Sequence, residues 1–237
     1  MANRKPQMAK TISIIIPALN EKDGIEKTIK AVPVAELAAM GYRTQVVVVD
    51  NGSLDGTGVK AKKAGAEVVR ELRRGYGRAY KTGFATARGD IIATCDADAT
   101  YPLESIPELV KTLEEEGLDF ITTNRFPLME KEAMSLRNKI GNTILSIAVR
   151  LLFGLKVRDP ESGMWVFQKN ILDSLRLDSD IWPLSHELKL EVCYYHQFRW
   201  KEIPIRYKAR AGKTKLLRGW LVGFLDLFHI IKMRITR

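Results

Sequence analysis

Residues Thr11–Glu21 read TISIIIPALNE, an apolar run (Thr11–Ile16) that meets Pro17 and turns polar at once. An unbroken apolar run of this length, closed by a breaker, is the pattern of a strand buried on both faces. The pattern recurs downstream. Gln45–Val49 ends at Asp50-Asn51-Gly52-Ser53, and Ile91–Cys95 ends at Asp96-Ala97-Asp98. Ala66–Arg70 and Asp119–Thr123 are two further strands. Between them lie helical patterns: Glu21–Ala39, carried by Ile25, Ile29 and Val32 and broken at Pro33, then Gly56–Ala64, Ala79–Ala87 and Leu103–Glu116 behind Pro102. Strands alternating with helices predict an α/β protein with a parallel sheet and right-handed crossovers. In such sheets the ligand crevice lies beyond the carboxyl ends of the strands. Three polar clusters converge on that edge here.

After Arg125 the pattern is less regular: a helix over Leu136–Leu155, a turn over Arg158–Gly163, a strand over Met164–Phe167, a helix over Glu187–Tyr195 and a strand over Trp200–Tyr207, interrupted at Pro204. The 237 residues, 46% of them hydrophobic, suffice for one well-cored domain and argue against disorder. Cys95 and Cys193 form no CxxC pair or Cys/His cluster, so neither a disulfide framework nor a zinc site is expected. His186 and His196 show no ligand spacing and read as structural or surface residues.

Charge is unevenly placed: 11 of the 38 basic residues but only 2 of the 28 acidic ones follow Phe198. A basic end of this kind suits an anionic partner. A nucleic-acid binder would share the charge but leaves the three carboxylate clusters unexplained, so no nucleic-acid partner is expected. No signal peptide is visible, and no stretch reaches the ~20 apolar residues that cross a bilayer. At the C-terminus, Leu217, Trp220, Leu221, Phe224, Leu225, Leu227, Phe228, Ile231 and Ile235 share a broad helical face, with Arg218, Asp226 and His229 opposite. Residues 217–237 are therefore expected to form an amphipathic helix at a membrane interface, appended to a catalytic domain over 1–216. That places the protein peripherally, on the cytoplasmic face.

Asp96 and Asp98 flank one residue just past an apolar strand, so both carboxylates can approach one hard cation, Mg²⁺ or Mn²⁺. Asp50, at a neighbouring strand end, is placed for a nucleotide base or ribose. Asp55 reads as a cap for the next helix. Gly75-Tyr76-Gly77-Arg78 fails the dinucleotide fingerprint because position 80 is Tyr and no strand directly precedes it.

The motifs Pro17-Ala18-Leu19-Asn20-Glu21, the 50–57 stretch DNGSLDGT, Arg74-Gly75-Tyr76-Gly77 with Gly83 and Arg88-Gly89-Asp90, and the 96–102 stretch DADATYP together resemble family 2 glycosyltransferases of GT-A fold. Asp159-Pro160-Glu161-Ser162-Gly163 and the 210–216 stretch RAGKTKL are similar to motifs of the polyprenyl-phosphate subgroup, which includes dolichyl-phosphate mannose synthases. The likeness spans residues 10–216. It implies a mixed, mainly parallel Rossmann-like sheet flanked by helices. It also implies inverting transfer of a hexose from a nucleotide sugar, GDP-mannose or a UDP-sugar, to dolichyl or polyprenyl phosphate. By that resemblance Asp96 and Asp98 hold the metal on the donor diphosphate, and Pro17, Ala18, Asn20, Glu21, Asp50 and Ser53 line the nucleotide site. Arg125, Arg137, Arg210 and Lys213 meet the acceptor phosphate, with Lys215 beside them. The alternative is a family 2 transferase with a soluble or saccharide acceptor.

Two departures matter. Thr100 stands where the subgroup commonly has Gln as a further metal ligand, and Gln197-Phe198-Arg199-Trp200 is one residue short of the QxxRW signature of processive synthases. Polymerisation is therefore not expected. A phosphate acceptor also has an independent physical attraction. An alcohol needs a general base, whereas a phosphate monoester with a second pKa near ~6 is already largely dianionic and needs only cations to hold it.

Overall fold

The structure, a computed structural model of the chain, describes residues 10–128, 130, 133–209 and 219–237, with backbone alone at 219 and 220. In chain order the elements are β1 (Lys10–Ala18), α1 (Ile25–Lys30), α2 (Val34–Ala39), β2 (Tyr42–Asp50), α3 (Thr57–Lys63), β3 (Glu67–Arg70), α4 (Tyr76–Thr86) and β4 (Ile91–Thr94). There follow α5 (Ile106–Glu115), β5 (Phe120–Asn124), α6 (Leu136–Phe153), β6 (Trp165–Gln168), α7 (Leu184–Leu190), β7 (Trp200–Pro204) and α8 (Gly219–Thr236). The strands form one sheet in the order β3-β2-β1-β4-β6-β5-β7. Only β6 runs against its neighbours, β4 and β5, so the sheet is mixed and mostly parallel. This is a GT-A arrangement, with the sheet flanked by helices as expected.

Pro17 does not end β1, which runs on to Ala18. Ile15 accepts from the Cys95 amide, so odd residues of β1 face β4. Pro17 shares that side, two residues past the last β1–β4 pair, Ile15 with Thr94. Its missing N–H therefore costs no ladder bond. Even residues face β2, and there Ala18 still accepts from Asn51.

Alternation along β1 divides the core. Ile12, Ile14 and Ile16 pack beneath α1, α2 and α5 through Ile25, Ile29, Leu37, Ile106, Leu109 and Leu113. Ile15, with Val47 and Val49, faces the other layer, built from Tyr80 and Phe84 of α4, Leu184 and Leu188 of α7, and Trp165 and Phe167 of β6. Pro33 divides the first helical stretch into α1 and α2, as expected. The pattern read as one helix over Glu187–Tyr195 starts earlier, at Leu184, and widens into a π-helical turn over Glu191–Tyr195.

The C-terminal helix corrects one expectation. Asp226, Ile230 and Met233 face inward, and Ile230 and Met233 pack with Leu145, Val149 and Phe153 of α6 and Leu190 of α7. Phe224, Leu225, Phe228, Ile231 and Ile235 are exposed. The acid placed on the outer face by periodicity is thus 3% exposed, and much of the apolar face is solvent-side. The physical reason is that α8 is apolar nearly all round. Its period cannot say which side packs, and the side that does carries Ile230 and Met233 between two charged residues, Asp226 and Arg237. Arg237 completes the docking with ion pairs to Glu187 (2.8 Å), Asp178 (2.9 Å) and Glu191. No helix among the described residues is long and apolar enough to cross a membrane.

Candidate active site

The carboxyl ends of β1, β2 and β4 meet at one edge of the sheet, and hydrogen bonds lock their loops together. Asn20 sits at φ 51°, where its amide donates to Ser53 Oγ (3.0 Å) and its Oδ1 accepts from the Leu54 amide (2.8 Å). The Glu21 amide donates to Thr57 Oγ1 (2.8 Å). Asp50 is buried at the end of β2 and accepts from the Ser53 amide (2.9 Å). Gly58 leaves room for this, since a Cβ there would lie 2.6 Å from Asp50 Oδ2 and push the carboxylate aside. Gly56, not Asp55, is the N-cap of α3; Asp55 precedes it and accepts from the Thr57 amide (2.9 Å). Pro17, Ala18, Asn20, Glu21, Asp50 and Ser53 thus occupy one rim.

Asn51 is a residue that sequence reading passed over. Buried, it donates from Nδ2 to the carbonyls of Glu71 (3.0 Å) and Arg73 (2.9 Å) and accepts from the Gly75 amide (2.8 Å). One side chain thereby fixes the whole turn leading into α4. Its place within the DNGS stretch was the available signal.

Beyond β4, Asp98 is buried and Asp96 half-buried. Asp98 Oδ1 accepts from both the hydroxyl (2.7 Å) and the amide (3.2 Å) of Thr100. Thr100 is thus committed to orienting Asp98 rather than reaching outward as a longer side chain could. Two hard carboxylate oxygens projecting from one short turn fit a divalent cation of the Mg²⁺ or Mn²⁺ kind.

A ring of phenols surrounds Asp96. Tyr76 stacks on Trp182 at 4.5 Å and meets the edge of Tyr80 at 4.9 Å. Burial, reinforced by the charge of Asp96, pushes Tyr76, Tyr80 and Tyr101 well above the usual phenol range, so all three keep their protons. Gly163 lies among them. A Cβ at 163 would come within 2.7 Å of the Tyr76 hydroxyl and 3.4 Å of Asp96 Oδ1. Its carbonyl accepts from Thr94 Oγ1 (2.8 Å) and Tyr80 (3.2 Å), and its amide donates to Tyr101 (2.7 Å). The 159–163 turn is thereby fastened to the wall of the site. These tyrosines and Glu161 carried no assigned role in the sequence reading, because the contacts join segments some 60 to 80 positions apart.

The same turn is held from behind by Lys189. This lysine is buried, and its ammonium donates to the carbonyls of Asp159 (2.9 Å), Pro160 (2.8 Å) and Ser162 (2.9 Å). Burial lowers its pKa to about 8, despite the favourable charge of Asp159.

Of the four cations expected to meet an acceptor phosphate, Arg125 and Arg137 lie among the described residues. Arg125 forms a two-pronged pair with the fully buried Asp159, Nε to Oδ2 at 2.7 Å and Nη2 to Oδ1 at 2.8 Å, and lies 5.4 Å over the Tyr207 ring. Burial raises the Asp159 carboxyl, but the charge and hydrogen bonds of Arg125, together with the charge of Lys189, outweigh it and hold the group below the usual range. Arg137 is exposed in the first turn of α6, behind the Ser135 cap. Arg210 and Lys213 lie outside the described residues, as does Lys215. Cys95 and Cys193 are free and buried, with thiols pushed up by burial, as inert core residues would be.

Comparison with known proteins agrees with this geometry. Residues 13–176 match the family model for glycosyl transferase family 2. The chain is similar to the low-salt glycan biosynthesis hexosyltransferase Agl6 of Haloferax volcanii, 33% identical over 88% of this chain and 50% of that protein, so it spans half of Agl6. It is 34% identical to the uncharacterized protein MJ1222 of Methanocaldococcus jannaschii, over 94% of this chain and 92% of that one. It is 32% identical to a dolichyl-phosphate hexose transferase of H. volcanii, over 73% and 74% of the two chains. In fold it is similar to the glucosyl-3-phosphoglycerate synthase of Mycobacterium tuberculosis, solved with Mn²⁺, UDP and phosphoglyceric acid. That likeness has a TM-score of 0.75 and 23% identity, over 96% of this chain and 79% of that one.

Proposed function

The chain belongs to glycosyl transferase family 2, and on that premise we propose that it transfers a hexose from a nucleotide sugar to a polyprenyl phosphate of the dolichyl type, with inversion at the anomeric carbon. The observation that carries the lipid acceptor is an apolar surface beside the site. Leu136, Ile140, Ile144, Ile147 and Leu151 are exposed along one stripe of α6, and the exposed apolar residues of α8 lie on the helix packed against it. Five large apolar side chains exposed along one helical stripe differ from the singly scattered ones usual on a soluble protein. Asn142 and Ser146 of α6 donate to the carbonyls of Arg158 (3.1 Å) and Val157 (2.6 Å), tying the helix to the segment that leads into the 159–163 turn. Peripheral seating of that surface on a membrane brings a lipid-borne phosphate to the acceptor side. The relative named a dolichyl-phosphate hexose transferase supports the same reading.

In this reading Pro17, Ala18, Asn20, Glu21, Asp50 and Ser53 receive the nucleoside, with Asn51 holding the 71–75 turn closed around it. Asp96 and Asp98 would hold Mg²⁺ or Mn²⁺, which when bound offsets the charge of the departing diphosphate. Thr100 keeps Asp98 aimed. The acceptor phosphate oxygen attacks the anomeric carbon as the bond to the nucleoside diphosphate breaks, and no proton need leave the nucleophile. Arg137, Arg210 and Lys213 are assigned to that phosphate. Arg125 serves it through its buried pair with Asp159, which holds the guanidinium at the site wall.

The test is a panel of nucleotide sugars offered with dolichyl phosphate, with lipid-extractable product identified by mass and anomeric configuration. One donor should give a single inverted phosphodiester. Product formed only on soluble phosphorylated or saccharide acceptors would establish the alternative.

A further inference from the structure

Behind the 159–163 turn lies a polar cluster that the transfer reaction does not use. We propose that Glu161, His186 and Asp226 form a second divalent-cation site, distinct from the Asp96–Asp98 pair and suited to a first-row transition ion such as Zn²⁺. One carboxylate oxygen from each acid and one ring nitrogen of the histidine all lie within 4.8 Å of one another. The three come from three different parts of the fold: the 159–163 turn, α7 and α8.

Two observations beyond the grouping point to a cation. First, Asp226 Oδ1 is buried and has no hydrogen-bond partner among the described residues. An unsatisfied buried carboxylate oxygen is costly, and a cation is the ligand that removes the cost. The nearby cations are engaged elsewhere: Lys189 on three carbonyls, Arg237 on Asp178, Glu187 and Glu191.

Second, His186 already has the outer partner that a ligating histidine needs. Its Nε2 lies 3.0 Å from His229 Nδ1, while its Nδ1 lies 2.9 Å from Glu161 Oε1. With the Nε2 proton donated to His229, Nδ1 presents a lone pair toward the Glu161 carboxylate. A metal between them replaces the proton that would otherwise bridge two acceptors. A ligating imidazole that passes its other N–H to a fixed acceptor is the usual support for such sites. One nitrogen and two carboxylate oxygens suit Zn²⁺, and the first-row affinity order disfavours weaker competitors such as Mn²⁺. The ion would staple the C-terminal helix to the turn that carries Gly163 beside Asp96.

The test uses the full chain with Asp98→Asn, which weakens the donor-side pair, and reads Zn²⁺ binding by calorimetry and Co²⁺ binding by visible absorption. That protein should bind one equivalent of Zn²⁺ and show Co²⁺ bands. Adding Asp226→Asn, or separately His186→Gln, should weaken Zn²⁺ at least 100-fold and abolish the bands. Adding His196→Gln should leave both unchanged, since that partly exposed histidine pairs instead with Glu191. Should Asp226→Asn fail to fold, Glu161→Gln serves in its place, because Glu161 lies at the cluster's more open side. Absence of Zn²⁺ binding in the Asp98→Asn protein, or binding untouched by the cluster variants, overturns the site.

Discussion

Thr100 donates both its hydroxyl and its backbone amide to a single oxygen of Asp98, at 2.7 and 3.2 Å. Thr100, which stands where the resembled subgroup commonly has glutamine, therefore supports from within its own turn the acid proposed to hold the metal. Thr100→Ala removes the hydroxyl bond, and a bond to a charged group is worth about 1.5–3 kcal/mol. The Mg²⁺ or Mn²⁺ concentration for half-maximal activity should rise roughly 10-fold, given about 1.4 kcal/mol per decade. Asp98→Ala should abolish transfer while leaving the melting temperature near that of the parent. A Thr100→Ala enzyme with an unchanged metal titration would remove this role.

Asn51 closes the 71–75 turn through three hydrogen bonds. Asn51→Ala removes all three bonds, each worth about 0.5–1.5 kcal/mol, and frees the turn. We expect the donor KM to rise by an order of magnitude with the lipid-phosphate KM little changed. Equal rises in both would mean that Asn51 supports the fold in general rather than the nucleotide rim.

Asp159 and Arg125 form a buried pair, and removing one partner of such a pair costs about 3–5 kcal/mol. Asp159→Asn should lower the melting temperature accordingly at neutral pH. The sign with pH follows from the lowered carboxyl of the folded state. Unfolded chains bind the proton first as pH falls, so the pair's contribution is present above the ordinary aspartate range and lost below it. The gap between parent and variant should therefore narrow only in acid, as acid-dependent melts will read.

Lys189 supplies three N–H donors to three carbonyls while charged, and only two once neutral. Its pKa of about 8, against an ordinary 10.5, means that the unfolded state holds the proton more tightly. Stability should accordingly rise, not fall, between about pH 8 and 10.5 from this group. Activity should instead decline above pH 8 as the 159–163 turn loses a tether. A pH profile and melts on one preparation separate the two trends, and Lys189→Met should lack the stability rise.

Much of this was legible in the sequence, and the reasons are local. Strand ends at Asp50 and Asp96 could be read because a buried strand is a short apolar run and its polar terminus follows immediately. Pro33 divided its helix for steric reasons that act within one turn. What escaped reading depends on partners far apart in the chain. Tyr101 meets Gly163, Lys189 reaches back to Asp159, and His186 meets His229, none with a spacing that one helix or strand imposes. Asp226 was placed on the wrong face because apolar side chains run around most of α8, and only packing of Ile230 and Met233 on α6 selects the buried side. Membrane seating is therefore tested by point changes on the exposed face of α6 and α8. Ile144→Glu with Phe228→Glu should leave the fold intact and abolish sedimentation with anionic vesicles.

Lipid-phosphate transfer is read in one comparison: purified enzyme, labelled nucleotide sugar and metal, offered equal amounts of dolichyl phosphate, the unphosphorylated dolichol, or 3-phosphoglycerate. Label should enter the organic phase with dolichyl phosphate alone, and the double glutamate variant should lose this while keeping activity on a short, soluble prenyl phosphate. Transfer to dolichol at a similar rate, or to 3-phosphoglycerate in preference to the lipid, would contradict a polyprenyl-phosphate acceptor.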